Sequence, residues 1–475
     1  MKIWKRLMPE HFYKYEKSIS APKKRDLGIV YTPIDIVDTI NSKMLCKWVA
    51  DKPPLVLDPC CGTGVFLYDM AHKISERWSM PIEEVYEKYM YGFDVDADAV
   101  EVGRQAMRSV NLVVCDSLKQ DYSKYDIIVT NPPYIRIQNL SEEQRTYIQK
   151  EFEFTGGDTD IYIAFLEKLA KTDLLVGLIS PSSWARNKSA SRLRNYFYEC
   201  HRVQEIIDFG DRRIFSGAQT YTSILFMGNS DQLRYTRPDS SVIESLKYSD
   251  SDSESLFLGK CLDHSEGKNK ELFDVCDIKV GLATLADGLF YGVCQAGETS
   301  DTVKFKNKHG EYIIERAILR KCTKASKIQN IEENTYIIYP YTKDGELIDE
   351  QTLAAEYPRA YELLTLHKDI LLKRDKGKIE HKKWYGFGRT QGLRSLGPKL
   401  LLPPFQKDRI VVREITAEEM YISGYAVYPK KGHSMSRIKD ILTSKELFEQ
   451  IKPFAKPMSG GWIGVSKNTF KHYKF

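Results

Sequence analysis

The stretch LDPCCGTGVFL (residues 57–67) joins the end of an apolar run to an acidic residue, two closely spaced glycines and a new apolar pattern. This order predicts a buried strand that ends near Asp58 and turns through Gly62 and Gly64 into a helix. Glycines at such a turn let the backbone approach a ligand and expose the N–H groups of the helix start. Any tight strand-to-helix turn can use glycine, and a phosphate-binding loop is disfavoured because no Gly-Lys-Ser/Thr follows.

Around this stretch, from about residue 27 to residue 230, short apolar runs alternate with amphipathic patterns such as VFLYDMAHKISERW and IYIAFLEKLAK. The alternation predicts an α/β fold with an open, doubly wound, Rossmann-like sheet of mostly parallel strands. We expect seven strands, at residues 54–60, 89–94, 111–116, 125–130, 174–180, 203–208 and 222–227.

Acidic residues follow the first three predicted strands, as Asp58, Asp94 and Asp116. A single aspartate at such a place is most simply a helix N-cap. Three at successive strand ends favour a binding crevice, which in these sheets lies at the carboxyl ends of the strands. Together they suit a ligand that carries an amine, a ribose and an adenine. Asp94 follows Asp58 by 36 residues where about 20 are usual, which predicts an inserted helix or a longer crossover.

The fourth predicted strand runs into NPPY (residues 131–134). In isolation this tetrapeptide is a loop stiffened by proline. At this strand end it would face the same crevice, where the Asn131 side-chain oxygen and a proline carbonyl could accept hydrogen bonds from an exocyclic amino group. Tyr134 could then stack on the ring that bears this group.

Composition limits the class of protein. The chain has 475 residues, a formal net charge of +5 and a pI of about 8.5, which is compatible with a polyanionic partner without requiring one. Nine cysteines form no C-x-x-C pair, so neither a metal site nor a disulfide framework is expected. The N-terminus lacks a secretory h-region and no apolar stretch approaches the length of a membrane span, so we expect a cytoplasmic, soluble protein.

Four segments follow from these patterns. We expect an N-terminal helical extension (1–26), the α/β domain (27–235), a linker (236–267) that contains the polar run SDSDSES, and an α+β domain (268–475). The last domain is rich in tyrosine, lysine and arginine. It contains strand-like runs such as ENTYIIYPY, PKLLLPPF, RIVVREI and MYISGYAVYP, and one helical segment, RIKDILTSKELFEQIKPFA.

Taken in order, YTP (31–33), DPCCGTGVFL, FDVD, CDSL, NPPY and the segment 158–197 resemble the S-adenosylmethionine-dependent DNA adenine-N6 methyltransferases of the TaqI-like, gamma-ordered class. The resemblance covers roughly residues 27–230. The C-terminal segments KKWYGFGRTQGLRSLGPKLLLPPF and ILTSKELFEQIKPFAKPMSGGWIGVSKNTFKHY resemble the target-recognition domain of that family less closely.

The resemblance implies S-adenosylmethionine as the cofactor. Tyr31, Thr32 and Pro33 would line its methionine end, and Asp58, Pro59 and Gly62 would hold the amino acid moiety. Asp94, with Val95, would take the ribose hydroxyls, and Asp116, with Ser117, the adenine. Two positions depart from the pattern: Asp94 stands where glutamate is common, and Ser117 where some relatives carry an aromatic residue.

The resemblance also implies that Asn131, Pro132, Pro133 and Tyr134 hold a flipped adenine in duplex DNA. A second aromatic residue near the last strand would cover the other face of the base, with Phe226 the first choice and Tyr221 the second. In the basic and aromatic cluster 373–394, DNA contacts would fall to Lys382, Lys383, Trp384, Arg389 and Arg394. A solvated basic face, with Trp384 as a core anchor, is the plainer interpretation of this cluster.

The sequence thus predicts a monomeric, site-specific DNA adenine methyltransferase of a restriction-modification or related defence system, with a separately encoded nuclease as a possible partner. A methyltransferase of another amine or amide, in RNA or in a protein glutamine, remains an alternative, since related tetrapeptides occur there. A non-catalytic modification or specificity subunit is a second alternative, against which the intact motifs argue.

Overall fold

The computed structural model describes residues 10–156, 159–215, 220–237, 243–259, 270–295, 301–328, 334–377, 383–389, 391–393 and 397–475. The chain divides into two compact units, residues 1–264 and 265–475. Within these described ranges, none of the helices combines the length and the apolar composition that crossing a bilayer requires.

The first unit is built on a nine-stranded sheet whose strands lie in the order β3-β2-β1-β4-β5-β7-β6-β8-β9. All seven predicted strands are present, and two further strands extend the edge beyond β6, so the predicted count of seven is wrong. The strands are β1 Val56–Asp58, β2 Met90–Asp94, β3 Asn111–Val114, β4 Ile127–Thr130, β5 Leu175–Pro181, β6 Val203–Asp208, β7 Thr222–Met227, β8 Gln232–Thr236 and β9 Ile243–Lys247.

Strand direction decides where the functional residues meet. Strands β1 to β5 are mutually parallel, whereas β7 lies antiparallel between β5 and β6. The mostly parallel sheet is therefore confirmed, and the carboxyl ends of β1 to β4 share one edge. The helices are α1 Glu10–Ser18, α2 Ala21–Asp26, α3 Ile34–Lys47, α4 Val65–Trp78, α5 Ile82–Tyr89, α6 Ala97–Ala106, α7 Glu142–Glu151, α8 Tyr162–Ala170 and α9 Ser191–Glu199.

The glycine turn after β1 has the expected conformation. Gly62 and Gly64 adopt φ values of +52° and +88°, in the left-handed region that favours glycine. A Cβ on Gly64 would lie 2.4 Å from the Met107 side chain, so this turn also packs tightly against the chain after α6. Helix α4 starts directly after the turn. The long connection to β2 contains α5, which confirms the inserted helix predicted from the spacing of the two aspartates.

The segment 236–267, predicted as a linker, instead contributes strand β9 and a short 3-10 turn, Leu256–Leu258, to the first unit. Phe257 is buried and lies 5.4 Å from Trp184 and 6.0 Å from Phe197, ring centroid to centroid. In the serine-acid run before it, Ser249, Asp250 and Glu254 are exposed, whereas Ser251 and Ser255 are buried. The three apolar residues that follow are long enough to anchor the segment in the core.

The second unit mixes sheets and helices, as expected for an α+β domain. Its sheets have four strands (β10-β20-β16-β18), six strands (β13-β12-β11-β15-β14-β19) and three strands (β17-β22-β21). The strands are β10 Cys276–Val280, β11 Tyr291–Cys294, β12 Thr302–Asn307, β13 Gly310–Glu315, β14 Leu319–Lys324, β15 Thr335–Ile338, β16 Lys399–Leu402, β17 Phe405–Gln406, β18 Arg413–Ile415, β19 Met420–Ile422, β20 Tyr425–Pro429, β21 Lys456–Pro457 and β22 Ile463–Gly464.

The late helical segment of this unit is two helices, and the prediction of a single one is wrong. Ser444 ends α15 and caps α16, because its hydroxyl accepts from the Leu447 N–H at 3.1 Å. The helices of the unit are α10 Leu272–Val275, α11 Asp287–Phe290, α12 Glu350–Glu356, α13 Pro358–Leu366, α14 Lys368–Leu372, α15 Met435–Thr443 and α16 Lys445–Ile451.

Candidate functional site

A cavity of about 250 Å³ opens at the carboxyl ends of strands β1 to β4 in the first unit. Its walls bring together most of the residues that the sequence singled out there, although they are spread over more than one hundred positions of the chain. The predicted residues that line it are Tyr31, Thr32, Asp58, Pro59, Gly62, Asp94, Val95, Asp116, Ser117, Asn131 and Pro133.

The two aspartates at the tips of β1 and β2 hold the glycine turn between them. Asp94 accepts the Gly62 N–H at 2.7 Å through Oδ2 and the Asp96 N–H at 2.8 Å through Oδ1. Asp58 accepts the Cys60 N–H at 3.0 Å through Oδ1. Its buried Oδ2 makes no hydrogen bond of ordinary geometry among the described residues, although the Thr130 hydroxyl lies near enough to moderate the rise of the Asp58 pKa. Burial raises the pKa of Asp58 to about 7, and the charge of Asp94 adds to the rise.

The cavity has a further wall that the sequence motifs did not indicate. Asp116 caps a 3-10 turn, accepting the Leu118 N–H at 3.1 Å, and the chain after NPPY folds back opposite it. This wall comes from a second 3-10 turn, helix α7 and helix α8, whose amphipathic sequences give no local sign of a site. The residues missed are Asn139, Leu140, Ser141, Gln144, Tyr147, Ile148, Ile161 and Phe165.

Asn131 is held with its amide in a defined orientation. Its Nδ2 donates to the Val30 carbonyl at 2.9 Å and to the Thr32 hydroxyl at 3.1 Å. Its Oδ1 is buried and has no hydrogen-bond partner among the described residues. A buried acceptor without a donor lowers the stability of the folded protein. This oxygen can therefore accept a hydrogen bond from a ligand, since none of the described residues donates one to it.

Tyr134 lies in an aromatic group beside Asn131. Its ring meets those of Tyr162 and Phe215 edge to face, with centroid distances of 6.3 Å and 6.2 Å. Burial raises the pKa of Tyr134, so its phenol is neutral at physiological pH. Phe215, on the chain between β6 and β7, was missed because it lies outside every motif.

Phe226, the first choice for the second base-stacking residue, does not face this aromatic group. It pairs with Gly177 near the amino end of β5, whereas the cavity lies at the carboxyl ends of the parallel strands. Its side chain is 0% exposed. Lys43 Nζ lies 5.3 Å from its ring centroid. Phe226 is therefore a core residue and its prediction as a stacking residue is wrong. Tyr221 precedes β7, and its carbonyl accepts the Ser182 N–H at 2.9 Å.

Only some of the described residues in the basic cluster 373–394 of the second unit are exposed to solvent. Trp384 is 1% exposed, and its Nε1 donates to Glu350 at 2.9 Å, so it is a core anchor rather than a DNA-contacting residue. Lys383 and Arg389 are exposed. Lys382 and Arg394 lie outside the described residues.

Comparison with known proteins supports a methyltransferase relationship. Residues 77–215 match the model of the Eco57I restriction-modification methylase family. The Escherichia coli type II restriction enzyme and methyltransferase RM.Eco57I is 24% identical to 57% of this chain, which spans only 31% of that relative's length. The type II methyltransferase M.BstVI of Geobacillus stearothermophilus is 22% identical over 91% of this chain and 87% of its own length.

Among solved structures, the type IIL restriction-modification enzyme MmeI, determined in complex with DNA, matches 99% of this chain and 71% of its own chain. The TM-score is 0.71 at 14% identity, which shows a shared fold. Residues 77–215 are therefore similar to the Eco57I restriction-modification methylase family, and the chain is similar to several type II methyltransferases.

Proposed function

We propose that the protein transfers a methyl group from S-adenosylmethionine to the N6 amine of an adenine flipped out of duplex DNA. The observation that carries the proposal is the Asn131 amide, whose nitrogen is engaged and whose buried oxygen lacks a donor. Such an acceptor suits an exocyclic amine. The type II methyltransferases among the relatives make DNA the favoured bearer of that amine.

The carboxylates that line the cavity match the hydrogen-bond donors of the proposed cofactor. S-adenosylmethionine, when bound, supplies a methyl group on a positively charged sulfur. The unpartnered Asp58 oxygen suits its ammonium group, Asp94 the ribose hydroxyls and Asp116 the adenine amine. Tyr31 and Thr32 line the cavity and would contact the methionine end. Pro33, Pro132 and Tyr134 do not line the cavity itself.

The proposed chemistry at the amine is mainly positioning. The lone pair of an adenine N6 is delocalised into the ring. Hydrogen bonds from the two N6 hydrogens to Asn131 Oδ1 and the Pro132 carbonyl would favour a tetrahedral nitrogen with its lone pair directed at the methyl group. The prolines stiffen the loop, so the two acceptors are preorganised and cost little to reorganise. The base must leave the helical stack to reach them.

The direct test is expression in a host free of DNA methylation, followed by long-read mapping of N6-methyladenine. We expect modification at every copy of one short sequence. A genome without such a motif, together with methyl transfer by the purified protein to RNA or to a protein glutamine, would select the other amine acceptors. Binding of the cofactor without transfer to any acceptor would indicate a non-catalytic subunit.

Cofactor binding should depend on pH through Asp58. Because burial raises its pKa to about 7, the carboxyl is largely neutral at pH 6 and largely ionised at pH 7.5, whereas the ammonium group of a free amino acid stays charged over this range. The affinity for S-adenosylhomocysteine should therefore rise by up to about tenfold between these pH values. Calorimetric titration at each pH measures the effect, and Asp58→Asn should remove it. A flat profile in the native protein would contradict an ionic role for Asp58.

The second unit suits a duplex in its overall charge. It carries 36 lysines and arginines against 27 aspartates and glutamates, so the positive charge of the chain is concentrated in this unit. Binding to phosphates needs such an excess of cations. We propose that this unit holds the DNA and selects its sequence.

We assign that contact to one face of the three-stranded sheet, which we call the aromatic–lysine face (Phe405, Lys407, Lys456 and Trp462). Gly464 of β22 pairs with Phe405 on one side and Lys456 on the other, and its missing side chain leaves the ring and the lysine next to each other. Phe405 is 49% and Trp462 41% exposed. Exposed aromatic rings among lysines fit a nucleic-acid surface.

Substitutions on this face should weaken DNA binding. Trp462→Ala should raise the Kd for duplex DNA about tenfold, roughly 1.4 kcal/mol, because an aromatic contact is lost. Lys456→Ala should reduce the slope of log Kd against log salt by about one, as expected for one lost phosphate contact. Leu366→Ala, which alters another exposed apolar side chain of the same unit, is the control for fluorescence-anisotropy titrations. Equal Kd values for the tryptophan variant and this control would contradict the assignment.

A further inference from the structure

The chain before α3 lines part of the cavity, and we call residues 15–33 the N-terminal strap. Its middle part lines the cavity through the consecutive residues from Asp26 to Thr32. Its two ends contact different parts of the site. The strap therefore borders the cofactor cavity from Asp26 to Thr32 and has one anchor before this stretch and one within it.

The first anchor is a latch on Asp96, which lies two residues after the β2 tip and caps α6. Tyr15 donates its hydroxyl to Asp96 Oδ2 at 2.8 Å, and Lys23 Nζ donates to Asp96 Oδ1 at 2.8 Å and to Asp98 at 2.9 Å. Burial would raise the pKa of Asp96, but the bonds from Lys23 and Tyr15 outweigh it and lower the pKa, so Asp96 stays ionised. The Asp96 N–H in turn donates to Asp94 at 2.8 Å.

The second anchor is the NPPY loop. The Val30 carbonyl and the Thr32 hydroxyl accept both bonds of the Asn131 Nδ2 group, at 2.9 Å and 3.1 Å. Gly28 accepts the Tyr134 N–H at 3.4 Å. It has a φ of +62°, and a Cβ there would lie 2.8 Å from the Tyr134 nitrogen, so strap and loop are in direct backbone contact.

We propose that the N-terminal strap couples occupancy of the cofactor cavity to the orientation of Asn131. Thr32 is the positioning residue that orients the Asn131 amide, and the Asp96 latch holds the other end of the strap against the first unit. This inference rests on the proposed function. While its two anchors hold, the strap retains the cofactor in the cavity and keeps the Asn131 oxygen directed to the target amine. The strap thus holds Asn131 in the orientation that accepts the target amine once the cofactor has bound.

The Thr32 part is tested by an isosteric pair of variants. Thr32→Val removes the hydroxyl acceptor at nearly constant volume and should lower kcat about tenfold, with the Kd for S-adenosylhomocysteine within about threefold of the native value. Thr32→Ser restores the hydroxyl and should recover most of the lost turnover. If valine weakens cofactor binding as much as turnover, or if serine is no better than valine, Thr32 is only a cofactor contact and the positioning role is wrong.

The latch is tested by Lys23→Met, with Lys17→Met on the neighbouring helix α1 as the matched control, since Lys17 is an exposed lysine outside the latch. Stopped-flow displacement should show S-adenosylhomocysteine leaving about tenfold faster from the Lys23 variant and at the native rate from the control. Dissociation within twofold of native in both variants would overturn the latch.

A double variant decides whether the two anchors act through one strap. If they do, Lys23→Met and Thr32→Val together should lower kcat by clearly less than the product of their separate effects. Independent effects would overturn the coupling. Should the native protein methylate no DNA, the substrate assignment fails. The dissociation assay still decides the latch, and the acceptor on which the enzyme does act replaces DNA in the turnover assays.

Discussion

Asn131→Ala should lower kcat for methyl transfer to DNA by about 10²–10³, the usual effect of losing one preorganised polar group at a reacting atom. The substitution removes the buried oxygen that has no donor among the described residues and leaves the cavity walls formed by the aspartate tips in place. The Kd for S-adenosylhomocysteine should therefore stay within about threefold of the native value. Single-turnover kinetics with a duplex that contains the mapped site, together with calorimetry, measures both quantities.

Asn131→Asp distinguishes the role of the amide oxygen from that of the amide nitrogen. It keeps an oxygen for the target amine but directs a second oxygen at the Val30 carbonyl, from which Nδ2 now lies 2.9 Å away. Repulsion there should tilt the side chain, so we expect turnover between that of the native protein and that of the alanine variant. An alanine variant that loses cofactor binding more than tenfold would show that Asn131 belongs to the cofactor site instead.

The first unit shows which parts of a fold a sequence reveals. Strands β1 to β7 are marked by apolar runs because most of them are buried on both faces. Strands β8 and β9 were missed because they lie at the sheet edge, where alternating polar residues cover the exposed face. In β8 only Leu233 and Tyr235 are buried, and in β9 only Leu246. A segment with so few apolar residues among polar ones has the composition of a linker rather than of a strand.

The site divides in a similar way. The aspartate tips could be predicted because the carboxyl ends of parallel strands meet by topology, whatever the side chains around them. The partners of Asn131 could not, since Val30 and Thr32 lie about one hundred residues earlier. No local pattern marks a hydrogen bond of that span. The second wall of the cavity was missed for the same reason, as α7 has the sequence of an ordinary surface helix.

The aromatic residues were the least predictable, and they allow a sharp comparison between Phe215 and Phe226. Both are buried, and they lie on the chain segments that lead to and form β7. Only Phe215 contacts Tyr134, at 6.2 Å and edge to face. Turning the two rings parallel and separating them to about 7 Å, twice an aromatic contact distance of about 3.5 Å, would let a flipped base stack between them. Phe226 faces the core and Lys43 instead.

Phe215→Leu should therefore lower kcat/KM for DNA by roughly 5- to 150-fold, the equivalent of about 1–3 kcal/mol for one lost base-aromatic stack, with the cofactor Kd unchanged. Phe226→Leu should lower the midpoint of thermal unfolding while kcat/KM of the folded protein stays within about threefold, and Phe226→Ala should cost roughly 3–5 kcal/mol of unfolding free energy. Differential scanning calorimetry and steady-state kinetics on the same preparations separate the two roles. If the Phe226 variant lost turnover while the Phe215 variant kept it, the base would stack elsewhere, and the β7 side chains would have to move on binding.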